Sequence, residues 1–307
     1  MDQPISSCFI FAANYSKSIT NEDAKNMTFL EVINSILAVP TAAANALVIV
    51  AILTTSSLRT PSYLLLTSLA FSDLAVGVFG QPVFTFCIFS FRNGNVKGYC
   101  YARWISTFFL VLFGDATLLT VAAISVDRFL AIRLKTLYRS VVTVRRVKLI
   151  LLFILFYSIF AVCHPFLLSL TMSSVLAASV VIFMSFIILF CYTMSFRALK
   201  IHCAQIQPQG NQQPNCTTQS NAIDVLKYRK LLKTMLLIMV LIIVCYLPLV
   251  GVFVIFSKPN PNRVVAWYLL TITSLNSLLN PVIYMTRMKD LRRVCIRMLR
   301  KIFRFDS

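Results

Sequence analysis

Apolar residues along this chain gather in seven runs, at about 29–54, 62–89, 101–132, 147–166, 174–197, 229–256 and 264–286, each bounded by short polar or basic segments. About 20 apolar residues suffice for a helix to cross a hydrocarbon core roughly 30 Å thick. Lipid offers no water to pair a backbone N–H or C=O, so runs of this length are helices rather than open strands. The pattern predicts an all-α fold, a seven-transmembrane helix bundle over 29–286, with an extracellular N-terminal segment at 1–28 and a cytoplasmic basic tail at 287–307. The boundary between the fourth and fifth runs is the least marked, because Phe166 to Ser173 carries no charge and few turn-forming residues. Beyond the seventh run, Met288, Leu291, Val294, Ile296, Met298, Leu299, Ile302 and Phe303 alternate with Lys and Arg. That alternation predicts an amphipathic helix on the membrane surface, drawn to anionic lipid. Cys295 lies on it, where a palmitoyl chain or a plain surface thiol are equal expectations.

With 58% hydrophobic and 13% charged residues, the chain is too apolar for a soluble multi-domain enzyme. A net charge of +19 would suit nucleic acid, but the basic residues sit in short segments beside apolar runs, which is the signature that orients membrane helices. Most of them, including Arg128, Arg133, Lys135, Arg139, Arg197, Lys200, Arg229 and the tail, fall on one side. That side is the cytoplasm, so the N-terminus lies outside the cell, the protein belongs in the plasma membrane, and nucleic acid is not a partner. Two N-glycosylation sequons begin at Asn14 and Asn26, whereas the one at Asn215 faces the cytoplasm. The apolar stretch from Phe9 to Ala13 is too short for a cleavable signal peptide.

Polar groups within a span are costly enough to be read as functional candidates. Asp73 lies mid-span, with Asn45, Thr117, Asn276, Ser277 and Asn280 at similar depth on other spans. The set either packs as a hydrogen-bonded network or holds water and a sodium ion, since hard cations take oxygen ligands. Asp115 is a second intramembrane acid, expected to bond a hydroxyl on the fourth or fifth span, with ligand contact the alternative. Asp127-Arg128-Phe129 ends the third span at its cytoplasmic boundary. No His, Cys or carboxylate cluster has metal or nucleophile spacing, so neither an enzyme nor a cofactor beyond sodium is expected.

Five marks in order carry a resemblance: Asn45 in Ala44-Asn45-Ala46-Leu47-Val48, Ser68-Leu69-Ala70-Phe71-Ser72-Asp73, Asp127-Arg128-Phe129-Leu130-Ala131-Ile132, Cys245-Tyr246-Leu247-Pro248, and Asn276 through Asn280-Pro281-Val282-Ile283-Tyr284. The chain resembles the rhodopsin-like (class A) G-protein-coupled receptors over nearly its whole length, and loosely their melanocortin, adenosine, cannabinoid and lysophospholipid group. The resemblance implies a receptor that converts binding of an extracellular ligand into activation of a heterotrimeric G protein as the sixth helix moves outward. Asp127 would hold Arg128 at rest and release it toward Tyr192 and Tyr284, while Pro248 and Asn280-Pro281 supply bends. A receptor-shaped decoy, chaperone or heteromer partner that couples to no G protein is the alternative.

Departures from that pattern matter. Phe129 and Tyr246 replace the usual tyrosine and tryptophan, the fifth span has no proline, and Tyr228 stands where many relatives place an acid to grip the arginine. The missing second lock implies appreciable ligand-independent signalling. Relatives bridge the third helix to the loop after the fourth, yet that loop has no cysteine here. Cys100 is left to pair with Cys163, Cys87 or Cys8, with Cys163 taken as the candidate. Leu110 replaces the aspartate of amine receptors and Ser274 the lysine of opsins. By analogy the ligand pocket is lined by Gln81, Phe84, Leu110, Val111, Gly114, Tyr246, Leu249, Val250, Phe253, Leu270 and Ser274, unless these merely pack the bundle. Such a lining suits a lipid-like or weakly polar small molecule, with a peptide the other option.

Overall fold

A computed structural model describes residues 8, 9, 12, 19–206 and 263–302; the sixth span, 229–256, lies outside them. The other spans are helices: the first Asn21–Thr54, the second Pro61–Arg92, the third Val96–Leu134, the fourth Val144–Leu167, the fifth Leu170–Ile206 and the seventh Arg263–Arg287. A tail helix follows at Lys289–Ile302. Among the described residues, the first five spans are long and apolar enough to cross a membrane. The seventh helix is long enough as well, but it carries Thr271, Thr273, Asn276, Ser277 and Asn280 on its buried side.

Local chemistry sets the helix ends. The first helix starts eight residues before its apolar run because Thr20 and Asp23 form a capping box and Met27 and Leu30 are buried. Pro61 opens the second helix behind the cap Thr60, and a π-helical turn at Val76–Gly80 interrupts it. Gly77 sits at that turn against the first helix, where a Cβ would lie 2.8 Å from the Ala42 nitrogen. Gly94, at φ +68°, turns the chain into the third helix, which Asn95 caps. Ser169 accepts from the Met172 amide and opens the fifth helix, so the fourth and fifth are separated by only Leu168 and Ser169.

The bundle is inverted relative to a soluble protein. Val39, Phe153, Phe156 and Phe186 are exposed while Asn34, Asn45 and Asp73 are fully buried. An inner apolar cluster joins Val48, Ile52, Leu66, Leu69, Leu118, Val121, Ile188 and Tyr284. An outer cluster joins Cys8, Met27, Leu30, Phe84, Ile88, Phe91, Tyr99 and Trp267. Asp73 and its polar neighbours lie between the two.

Candidate functional site

At the C-terminal end of the third helix, the Asp127 carboxylate is held from three directions. Ser62 Oγ donates to Oδ2 at 2.8 Å, Tyr138 Oη donates to Oδ1 at 2.7 Å, and Arg128 Nη2 lies 3.5 Å from Oδ2. Ser62 comes from the start of the second helix. Tyr138 is returned to the carboxylate by the turn at Lys135, whose φ of +45° is the one positive value among described non-glycine residues. Among the described residues Arg128 is thus paired only at the tip of its guanidinium, and its buried Nε has no hydrogen-bond partner there. Phe129 is half-buried beside it. Ser62 and Tyr138 are site residues the sequence reading missed, since neither lies in a recognisable motif.

One helical layer deeper, Tyr192 of the fifth helix and Tyr284 of the seventh line a small cavity with Leu66, Leu69, Val121, Ile124 and Ser125. The expected partners of a released Arg128 are therefore brought together, and the Tyr284 hydroxyl has no hydrogen-bond partner among the described residues. Pro281 lies inside the seventh helix, three residues before Tyr284.

Around Asp73 part of the polar set meets. Asn280 Nδ2 donates to Asp73 Oδ2 at 2.8 Å, and Asn45 Nδ2 donates to the Ser277 carbonyl at 2.9 Å. The Ser277 hydroxyl also acts on the Asp73 carboxyl, yet Oδ1 forms no bond of hydrogen-bond geometry. Thr117 faces Ser72 instead, Oγ1 to Oγ at 3.1 Å. Asn45 Oδ1 and both amide atoms of Asn276 are likewise buried and unpaired among the described residues. Oxygen acceptors left over around a buried carboxylate are the donor set a small hard cation takes, so the residues present fit a sodium ion.

The pocket residues divide. Leu110, Val111 and Gly114 on the third helix and Leu270 and Ser274 on the seventh are half-buried. Phe84 is packed into the outer apolar cluster, and Gln81 is buried with neither amide atom paired. Tyr246, Pro248, Leu249, Val250 and Phe253 lie outside the described residues, as does Asn14. The hydroxyl bond expected of Asp115 is absent among the described residues, although Tyr157 of the fourth helix lies within its electrostatic reach.

Two expectations are corrected. Cys100 pairs with Cys8, not Cys163, which is exposed and unpaired on the fourth helix. Cys8 and Ala12 are buried in the outer cluster, and the disulfide ties Cys8 to the third helix. Asn26, the other candidate glycosylation acceptor, lies within the first helix, and its side-chain oxygen accepts from the Tyr268 hydroxyl at 3.0 Å. Cys295 is not a surface thiol open to palmitoylation, because it is fully buried with Leu291 in the inner cluster.

A family model described as 7 transmembrane receptor (rhodopsin family) matches residues 44–175 and 169–284. Adenosine receptor A3 of Ovis aries is 25% identical over 280 residues, 83% of this chain and 84% of that receptor. The alpha-2B adrenergic receptor of Talpa europaea is 40% identical over 114 residues, 36% of this chain, and the chain spans 27% of that relative's length. The crystal structure of squid rhodopsin matches with a TM-score of 0.76 at 18% identity, covering 93% of this chain and 88% of that one, a likeness of fold. This chain, a multi-pass membrane protein and not an enzyme, belongs to the rhodopsin family of seven-transmembrane receptors.

Proposed function

We propose that the protein is a plasma-membrane receptor, N-terminus outside, that answers an extracellular ligand by activating a heterotrimeric G protein. The observation that carries this reading is the Asp127 clamp. Three groups on the second helix, the third helix and the loop after it hold the carboxylate, while Arg128 stays only loosely paired at the inner mouth of the bundle. Outward movement of the sixth span would open that mouth, and Arg128 would turn from Asp127 toward Tyr192, Tyr284 and the G protein. A ligand drives such a shift only through its differential affinity for the two shapes.

The half-buried apolar side chains of Leu110, Val111 and Leu270 favour a lipid-like or weakly polar ligand over an amine, for which Leu110 offers no counter-charge. A sodium ion at Asp73, held by leftover oxygens of Asn45 and Asn276, would neutralise the carboxylate and favour the resting shape. Arg128→Ala tests the main reading with a second-messenger reporter at matched surface expression. Ligand-independent and ligand-driven output should both vanish; output unchanged from the parent would support the non-coupling alternative.

A further inference from the structure

The first, second and seventh helices meet along a seam that is polar over most of its length. At its outer end Glu31 accepts from Arg92 Nε at 2.9 Å and from Nη2 at 3.0 Å. One turn inward, Asn34 Nδ2 donates to Thr271 Oγ1 at 2.9 Å. Further in come the Asn45 to Ser277 bond and the Asn280 to Asp73 bond, at 2.9 Å and 2.8 Å. Asn34, Thr41 and Asn45 are seven and four residues apart, which puts them on one stripe of the first helix. Gln81 occupies the second helix between the levels of Arg92 and Asp73, and is buried like the others.

Below the Glu31–Arg92 pair, buried polar atoms are left over. Asn34 Oδ1, both amide atoms of Gln81, Thr85 Oγ1, Asn45 Oδ1, Asp73 Oδ1 and both amide atoms of Asn276 have no hydrogen-bond partner among the described residues. Native interiors tolerate few such atoms, because each forfeits its hydration without compensation. Where they occur together they are the partners of ordered water. Here they run in sequence from the outer surface to Asp73, with a carboxylate at each end and Arg92 as the one basic side chain along the line. The apolar residues of the third-helix pocket are not part of it.

We propose that this seam is the access route of a monovalent cation between the outside and Asp73, with Glu31 as its outer station and Arg92 as its gate. The proposal rests on the sodium reading of Asp73. While the Arg92 guanidinium covers Glu31, the route is shut at the top. When it swings to solvent, the Glu31 carboxylate draws the ion in, and the oxygens of Asn34, Gln81 and Asn45 replace its water stepwise. The route touches the candidate ligand pocket only at Gln81 and leaves aside Leu110, Val111, Gly114, Leu270 and Ser274.

The test uses the purified full-length receptor in lipid nanodiscs, with sodium chloride compared against choline chloride. Equilibrium binding is read as the sodium-specific rise in Tm, and exchange by sodium NMR relaxation. Wild type should show both signals and Asp73→Asn neither. Gln81→Leu should keep the sodium-specific Tm rise yet slow exchange about tenfold, the effect of one lost polar contact on a barrier. Arg92→Gln should speed exchange and Glu31→Gln slow it; Gln81→Met covers the case in which Gln81→Leu fails to fold. Wild-type exchange rates in all four, with the Asp73→Asn loss intact, would overturn the route and leave the sodium site standing. No sodium-specific Tm rise in wild type would overturn the site and the route together.

Discussion

The side of the bundle built from the first, second and seventh helices is fastened differently from the side built from the fourth and fifth. The first side is bolted through side chains: Glu31 to Arg92, Asn34 to Thr271, Asn45 to Ser277, Asp73 to Asn280. On the other side, only 22% of the apolar window of the fourth helix and 28% of that of the fifth are buried, against 44% for the second. Their exposed faces carry Phe153, Phe156, Phe183 and Phe186, which face lipid. Hydrogen bonds are directional and fix a helix in register, whereas apolar packing against lipid tolerates sliding. A receptor whose working motion lies on one side needs the other to stay put.

The largest effect should come from wedging the bolted side apart. A Cβ on Gly77 would meet the Ala42 nitrogen at 2.8 Å and the Ala38 carbonyl oxygen at 3.1 Å, and backbone cannot rotate away. Gly77→Ala should cost about 1–3 kcal/mol through overpacking, and Gly77→Val more, enough to keep a tagged receptor from the cell surface. Phe156→Leu on the lipid face of the fourth helix should change Tm little, within about 0.5 kcal/mol. Equal surface expression for Gly77→Val and Phe156→Leu would erase the contrast.

Next comes the outer bolt. Glu31→Leu leaves the Arg92 guanidinium without its two charge-assisted bonds, a loss of roughly 1.5–3 kcal/mol. Changing both residues to leucine should restore most of the lost Tm, because a stranded charge costs more than an absent pair. A double variant no more stable than Glu31→Leu alone would show that the helices are held there by packing.

The helices and the inverted core were legible in the sequence because lipid demands long apolar runs and leaves few alternatives. The polar bolts were less so. Asp73, Asn45 and Asn280 stood out as polar residues in mid-span, but Glu31 reads as one acid inside an apolar run and Arg92 as an ordinary loop charge. The early start of the first helix was written locally, in Thr20-Asn21-Glu22-Asp23, a capping signal upstream of the apolar run. Cys8 carries no such signal, since its partner Cys100 lies 92 residues away in the sequence. Tyr138 was equally hidden, its contact with Asp127 set by a left-handed turn at a lysine.

That contact gives a smaller prediction at the boundary of the two sides. Tyr228 offers no acid to restrain Arg128 from the sixth span, but Tyr138 and Ser62 restrain Asp127 from the other direction. Tyr138→Phe removes one bond to the carboxylate, worth about 1 kcal/mol at a half-buried site. If the clamp belongs to the resting shape, ligand-independent second-messenger output should rise about fivefold. An unchanged basal level at matched surface expression would mean that the tyrosine positions the loop without restraining the switch.

The smallest effect concerns the tail. Leu291 and Cys295, one turn apart, are both fully buried in the cluster that contains Val48 and Ile52 of the first helix and Tyr284 of the seventh. The tail helix is therefore fastened to the bolted side, and Cys295 faces inward along the same stripe as Leu291, Val294 and Met298. Burial pushes its thiol up to about 11. Only the thiolate reacts, so at pH 7.4 almost none is available, and reactivity should appear only as the pH climbs toward that value. Maleimide should leave Cys295 unmodified in the folded receptor and label it after denaturation, and Cys295→Ala should incorporate as much alkyne-palmitate in cells as wild type. Loss of the palmitate signal in Cys295→Ala would place the thiol at the lipid surface and detach the tail from the bolted side.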